Sequence, residues 1–183
     1  MDPNTVTKEI QKIIESGESR HYVARDKVST ATINTLLDVL GDNNPIYSDR
    51  QTAQEYGYRD VIAPPAALQV WTMNLLNEQL QESPVDRAYQ LLAAHGFPNV
   101  VAVNSEQHYT HPIYPGDRIA SEEKVETLSE LKQTGLGPGM FITTLMTFCN
   151  QDNQTVGTMR FRTLWYSTEE VLSDEEKKGL QKS

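Results

Sequence analysis

Residues 66–80 read Ala-Ala-Leu-Gln-Val-Trp-Thr-Met-Asn-Leu-Leu-Asn-Glu-Gln-Leu, and Ala66, Ala67, Leu68, Val70, Trp71, Met73, Leu75, Leu76 and Leu80 leave no broad polar stripe. A helix apolar on nearly every side must be enclosed by other elements. Pro64-Pro65 marks its start. The chain that follows reads as strand. Val100 to Val103 begins one, and Arg118 to Leu128, Phe141 to Phe148 and Thr155 to Tyr166 alternate with β-branched or aromatic residues. Pro115-Gly116-Asp117 and Gly137-Pro138-Gly139 read as turns between them. One enclosed helix followed by antiparallel strands predicts an α+β domain, with a sheet curled round a helix.

Upstream, Ile10, Ile13 and Ile14 give Thr5 to Glu15 a helical face, which Ser16-Gly17-Glu18-Ser19 ends. His21 to Val28 reads as a strand. Ser29 is placed to cap a helix whose Ile33, Leu36, Leu37 and Leu40 recur at helical spacing, and Gly41 stops it. Asp49 to Tyr56 reads as a short polar helix. Ser167 to Ser183 is polar, with Ser173 and Glu176 spaced as a capping box. The chain therefore divides into a helical extension over 1–19, a main domain over 20–167 and a polar tail over 168–183.

The 183 residues are enough for one domain with a full core. Charged residues make up 22% and apolar residues 38%, a balance that favours ordered structure over disorder. Sixteen basic against 25 acidic residues give a net charge of −9, which repels phosphate backbones and anionic lipid. Neither nucleic acid nor a membrane surface is expected as the main partner. The single cysteine, Cys149, excludes an internal disulfide and reads as a buried, inert thiol. Met1-Asp2-Pro3-Asn4 lacks the basic start and apolar stretch of a signal peptide, and no window reaches the roughly 18 apolar residues of a membrane span. The expected location is the cytoplasm.

Gly41-Asp42-Asn43-Asn44-Pro45-Ile46-Tyr47 lies between two predicted helices. It resembles the signature of MaoC-like, (R)-specific enoyl-CoA hydratases, a Gly-Asp-x-Asn-Pro-aliphatic run followed by histidine. Here the last position is Tyr47. Ile113-Tyr114-Pro115-Gly116-Asp117-Arg118-Ile119 is similar to the family's turn into its second long strand, and Ala63-Pro64-Pro65-Ala66-Ala67 to its entry into the central helix. The resemblance covers roughly residues 20 to 166, in order. It implies a hotdog fold, an α+β antiparallel sheet wrapped around a long central apolar helix. Residues 63–73, Asn104-Ser105-Glu106-Gln107 and Lys132-Gln133-Thr134 are similar to one subgroup, the MaoC-like domain of heteromeric enoyl-CoA hydratases in bacterial steroid side-chain degradation. In that subgroup such a chain pairs with a smaller MaoC-like subunit that keeps the histidine, as a heterodimer or heterotetramer. Members commonly continue into a zinc-ribbon and OB-like domain that docks an aldolase, which is not among residues 1–183.

Hydration of a trans-2-enoyl thioester needs an activated water, a proton for C2 and a cradle for the thioester oxygen. The resemblance implies that aspartate and histidine five positions apart hold the water. An imidazole with an ordinary pKa of about 6.5 suits that work, whereas a phenol near 10 holds its proton too tightly. Asp42 alone is a weak base. At the cradle the family places His-Gly. Here Pro64 and Pro65 have no N–H, and Ala66 and Ala67 carry methyl groups, although either alanine N–H remains a possible donor. The expectation is a non-catalytic subunit with a residual motif of Asp42, Asn44 and Tyr47. Ala63, Pro65, Ala66 and Ala67 are expected to contact the acyl thioester, their small size widening the pocket. No resident cofactor or metal is expected; coenzyme A enters as part of the substrate.

Blander readings stand beside these. Asp42 and Asn44-Pro45 also fit an ordinary capped turn, and Tyr47 fits interface packing. His108 and His111 fall on opposite faces of an extended chain, a poor metal site, and read as structural. His21 and His95 give no signal. Arg160 and Arg162 share one strand face and fit a solvated surface or subunit contact better than coenzyme A phosphates. Two other functions stay open: a self-sufficient homodimeric hydratase, with Asp42 helped by Tyr47 or a distant histidine, and a non-enzymatic acyl-CoA binder. A hotdog thioesterase is disfavoured, since Glu78, the one acidic residue between Ala66 and Leu80, lies near the far end.

Overall fold

The computed structural model describes residues 3–73 and 82–168. Helix α1 spans Pro3–Ser16, and strand β1, Arg20–Val23, follows it. Helix α2, Thr30–Leu40, is capped by the Ser29 hydroxyl accepting from Thr32 N–H, and it ends at Gly41 with φ 66°. That left-handed conformation is the one glycine adopts at least cost. Helix α3, Arg50–Glu55, is capped by Asp49, and helix α4 runs Pro84–Ala94. Strands β2 (Asn99–Tyr109), β3 (Ala120–Leu128), β4 (Lys132–Thr134), β5 (Gly137–Cys149) and β6 (Thr155–Tyr166) complete the order.

The strands form one antiparallel sheet in the order β1-β3-β5-β6-β2, with β4 paired to the start of β5. Period-two alternation sends Met140, Ile142, Thr144 and Phe148 of β5 to the buried face. Two apolar clusters form. One joins Val28, Ile33, Leu37, Ala63, Leu68, Ile113 and Phe148, with Tyr47 and Trp71 packed on it. The other joins Val6 and Ile10 of α1 to Val85, Ala88 and Leu92 of α4 and to Val125, Met140 and Ile142 of the sheet. Helix α1 is thus part of the core rather than an appendage. The edge strand β2 is exposed over most of its length, including Val100, Val101 and Val103.

Several expectations are corrected. The helix expected over Ala66 to Leu80 is absent from its described part, where Pro65–Ala67 and Val70–Thr72 are separate single 3-10 turns; residues 74–80 lie outside the described residues. Ala67 N–H bonds to Pro64 O at 2.8 Å and Leu68 N–H to Pro65 O at 3.0 Å, both in the tighter i→i−3 pattern. Val70, Trp71 and Thr72 add β-branched and aromatic side chains that weaken helix propensity. Among the described residues, α1 and α4 pack on the sheet in one cluster, and α2 packs with Leu68 in the other. The strand expected to reach Val28 stops at Val23, beyond which Ala24 N–H and Val28 N–H bond singly to Ile119 O and Asp117 O. Gly137-Pro138-Gly139 opens β5 rather than turning. A Cβ on Gly139 would meet Trp165 O at 2.6 Å, so the glycine serves close strand approach. Ser173 and Glu176 lie outside the described residues.

Candidate functional site

The C-terminus of α2 sets the motif. Gly41 N–H and Asp42 N–H both turn back to Leu37 O. Asp42 Oδ1 then accepts from Asn44 N–H at 3.0 Å, and Asn44 Oδ1 accepts from Ile46 N–H at 3.2 Å. Asn44 thereby caps a 3-10 turn over Pro45–Tyr47. Asp49 continues the chain of caps: its Oδ1 accepts from Thr52 N–H at 2.6 Å, and hydrogen bonds from Thr52 hold its carboxyl below the usual range. The short polar residues of the motif are thus engaged in shaping successive turns.

Tyr47 is half-buried against the first cluster. Burial, then the Asp42 carboxylate, then Tyr58 push its phenol above the ordinary 10.0. Each cause disfavours the phenolate, so the group stays a protonated phenol at neutral pH. The four histidines have other partners. His21 meets Ser19 and Glu122, His95 meets Leu91 O and Glu9, His108 meets Glu106, and His111 meets Thr155 O. Asp42 and an imidazole are not brought together.

A family model described as FAS1-like, dehydratase domain region matches residues 17–159. The chain belongs to that family. It is 35% identical to a probable enoyl-CoA hydratase alpha subunit of Thermomonospora curvata, over 88% of this chain and 51% of that one. It is also 35% identical to the 3-oxo-4,17-pregnadiene-20-carboxyl-CoA hydratase alpha subunit of Mycobacterium tuberculosis, over 75% of this chain and 44% of that one. The chain therefore spans about half the length of these curated relatives. Among solved structures, it superposes on a chain of the ChsH1-ChsH2 complex from Mycobacterium tuberculosis with a TM-score of 0.85. That match has 32% identity and covers 90% of this chain and 97% of the other. The α+β architecture is a hotdog fold whose sheet does not close.

In this FAS1-like dehydratase domain the motif is tied to two distant segments by backbone bonds. Ile62 N–H donates to Ile46 O at 3.4 Å and Ala63 N–H to Ile113 O at 2.8 Å. Between them lies a cavity of about 150 Å³ whose lining includes Tyr58, Ala63, Pro65, Leu68, Tyr109 and His111. Of the four residues expected to contact the thioester, Ala63 and Pro65 line it; Ala67 is buried and Pro65 and Ala66 are exposed. Ala67 N–H is spent on Pro64 O and is no free donor, a correction to the expected cradle. Ala66 N–H stands outside that turn's bonding.

Asp117 anchors the second segment. Its buried carboxylate accepts from Tyr114 N–H at 2.8 Å, Gln151 at 3.2 Å and Arg59 at 3.3 Å, while the Arg59 guanidinium lies 4.1 Å from the Tyr114 ring centre. Arg160 forks onto Glu126, and Arg162 lies 4.5 Å over the Phe141 ring, which places both in the outer sheet face. Tyr58, Tyr109 and His111 were not legible as site residues. The one signal was the proline after His111, which fixes an extended conformation there. Among the described residues no three carboxylate, histidine or cysteine groups cluster as a metal site, and no helix is long and apolar enough to cross a membrane.

Proposed function

We propose that this chain is one subunit of a heteromeric enoyl-CoA hydratase, adding water to a trans-2-enoyl-CoA in the cytoplasm, and that it shapes the acyl pocket without supplying the base. The observation that carries the reading is the pairing of Asp42 with the protonated phenol of Tyr47, where the family's chemistry needs an imidazole. A smaller MaoC-like hotdog subunit would supply aspartate and histidine. The long, exposed edge of β2 offers unpaired backbone groups for such a neighbour. The names of the relatives support a subunit role, and one of them supports a bulky steroid side-chain thioester as substrate. The absence of an α-helix over residues 65–73 is consistent with room for a bulky group. Coenzyme A takes part as substrate rather than resident cofactor.

General acid–base catalysis contributes about 10²- to 10⁴-fold. The lone chain should therefore hydrate crotonyl-CoA or a steroid enoyl-CoA at least about 100-fold more slowly than the chain mixed with a histidine-bearing partner. The decrease in enoyl-thioester absorbance reads both. Equal turnover by the chain alone ends this proposal in favour of a self-sufficient hydratase.

A further inference from the structure

We propose that the cavity between residues 58–68 and 109–113 is a subsite for an alcohol hydroxyl carried on an apolar group. This deepens the acyl-thioester reading above and rests on it for its biological ligand. Its basis is an account of protons. Tyr109 Oη donates to Gln107 Oε1 at 2.6 Å, Thr110 Oγ1 donates to Thr155 O at 2.6 Å, and His111 Nδ1 lies 2.7 Å from the same carbonyl. A carbonyl oxygen only accepts, so the shared proton sits on Nδ1. In its neutral form the ring then keeps a bare lone pair on Nε2, which meets no hydrogen-bond partner among the described residues.

All three residues line the cavity, and each has committed its one proton elsewhere. What they retain is acceptor capacity. A hydroxyl satisfies it by donating, whereas a ketone meets lone pairs with its own lone pairs. Tyr58, also in the lining, is the exception, since no partner among the described residues takes its proton. The rest of the wall is apolar, with Ala63, Pro65, Leu68 and Val156. At about 150 Å³ the space matches a cavity size known to admit benzene, hence one six-membered ring.

Neighbouring Ala63 and Pro65 put this subsite beside the residues expected to hold the thioester, so the hydroxyl has two possible sources. It is either the one that hydration creates at C3 or one on a ring of the acyl group. Titration of the ¹⁵N-labelled full chain separates them, with the His111 ring nitrogens followed by NMR. Cyclohexanol should bind about tenfold more tightly than cyclohexanone, the difference of one neutral hydrogen bond, and should move the Nε2 signal upfield. A response to 3-hydroxybutyryl-pantetheine but not to cyclohexanol assigns the product hydroxyl; the reverse assigns a ring hydroxyl. His111→Phe should reduce the preference for alcohol over ketone, while Tyr58→Phe should widen it.

Equal measurable affinity for an alcohol probe that binds and for its ketone counterpart (cyclohexanone, or 3-oxobutyryl-pantetheine) overturns the proposal. So does an alcohol preference unchanged by His111→Phe, or silence of the Nε2 signal with every probe in the unaltered chain. These readouts need no turnover. A complex that fails to hydrate enoyl-CoA leaves the hydroxyl preference standing, and loss of that preference leaves the hydratase assignment standing.

Discussion

Replacing Gly157 by alanine tests how tightly the sheet closes on the candidate site. Gly157 faces Tyr109 across the β2–β6 pair. An added Cβ would lie 2.8 Å from His108 O and 2.9 Å from Leu68 Cδ2, short by about 0.6 and 0.5 Å of the 3.4 Å at which ordinary contact begins. Leu68 is 1% exposed, and the carbonyl belongs to the strand backbone, which cannot yield as the end of a side chain can. Overpacking of this kind costs about 1–3 kcal/mol. For a chain of 183 residues that is a fall in Tm of about 2–12 °C, read by circular dichroism. Leu68→Ala alone should cost about 2–5 kcal/mol through its cavity. It also removes one of the two clashes, so the double variant should be less destabilised than the sum by more than about 0.5 kcal/mol. Strict additivity, or a Gly157→Ala protein with the original Tm, would show that β2, β6 and Leu68 are not packed as described.

Two further perturbations probe the other end of the molecule. Ile10 is fully buried between α1, α4 and the sheet, so Ile10→Ala should cost about 2–5 kcal/mol in urea unfolding. A change within about 0.5 kcal/mol, typical of surface sites, would make α1 a dispensable appendage. Glu123 sits beneath α4, 2.7 Å from Arg20; burial above all raises its carboxyl pKa above 4.5, Asp86 adds to the rise and Arg20 opposes it. With the folded pKa raised, the folded state holds the proton more firmly than the unfolded chain. That contribution is full below about pH 4.5 and is lost as pH rises through the raised folded value. Glu123→Gln should therefore flatten the fall in stability across this window, and an unchanged slope in urea midpoints measured against pH refutes the assignment.

The legible parts of the fold are those with local causes. Helix α2 was marked at both ends, by Ser29 and Gly41, because capping needs only the residues that make it. The short polar run from Asp49 marked α3, whose cap Asp49 proves to be, and alternation marked β3, β5 and β6 to within a few residues. Helix α4 went unread although Ser83, Pro84 and Asp86 spell its capping box and Val85, Ala88 and Leu92 its buried face. The longer apolar run before it drew the helical assignment instead. Composition spoke for a helix there, and only the folded backbone, which closes single i→i−3 turns, shows otherwise over residues 65–73.

For the site, the motif over 41–47 and the phenol at its end stood in the sequence, since both are matters of residue type at fixed spacing. So did the prospect that Asp42 and Asn44 cap turns, which is how the Oδ1 of each is engaged. The fate of individual protons was decided only in three dimensions. Tyr58, Ala63, Tyr109 and His111 come from separate segments, and backbone bonds to Ile46 and Ile113 bring the chain around them together. Whether an imidazole nitrogen is donor or acceptor depends on what the other nitrogen touches. For His111 that partner is the carbonyl of Thr155, 44 residues away along the chain.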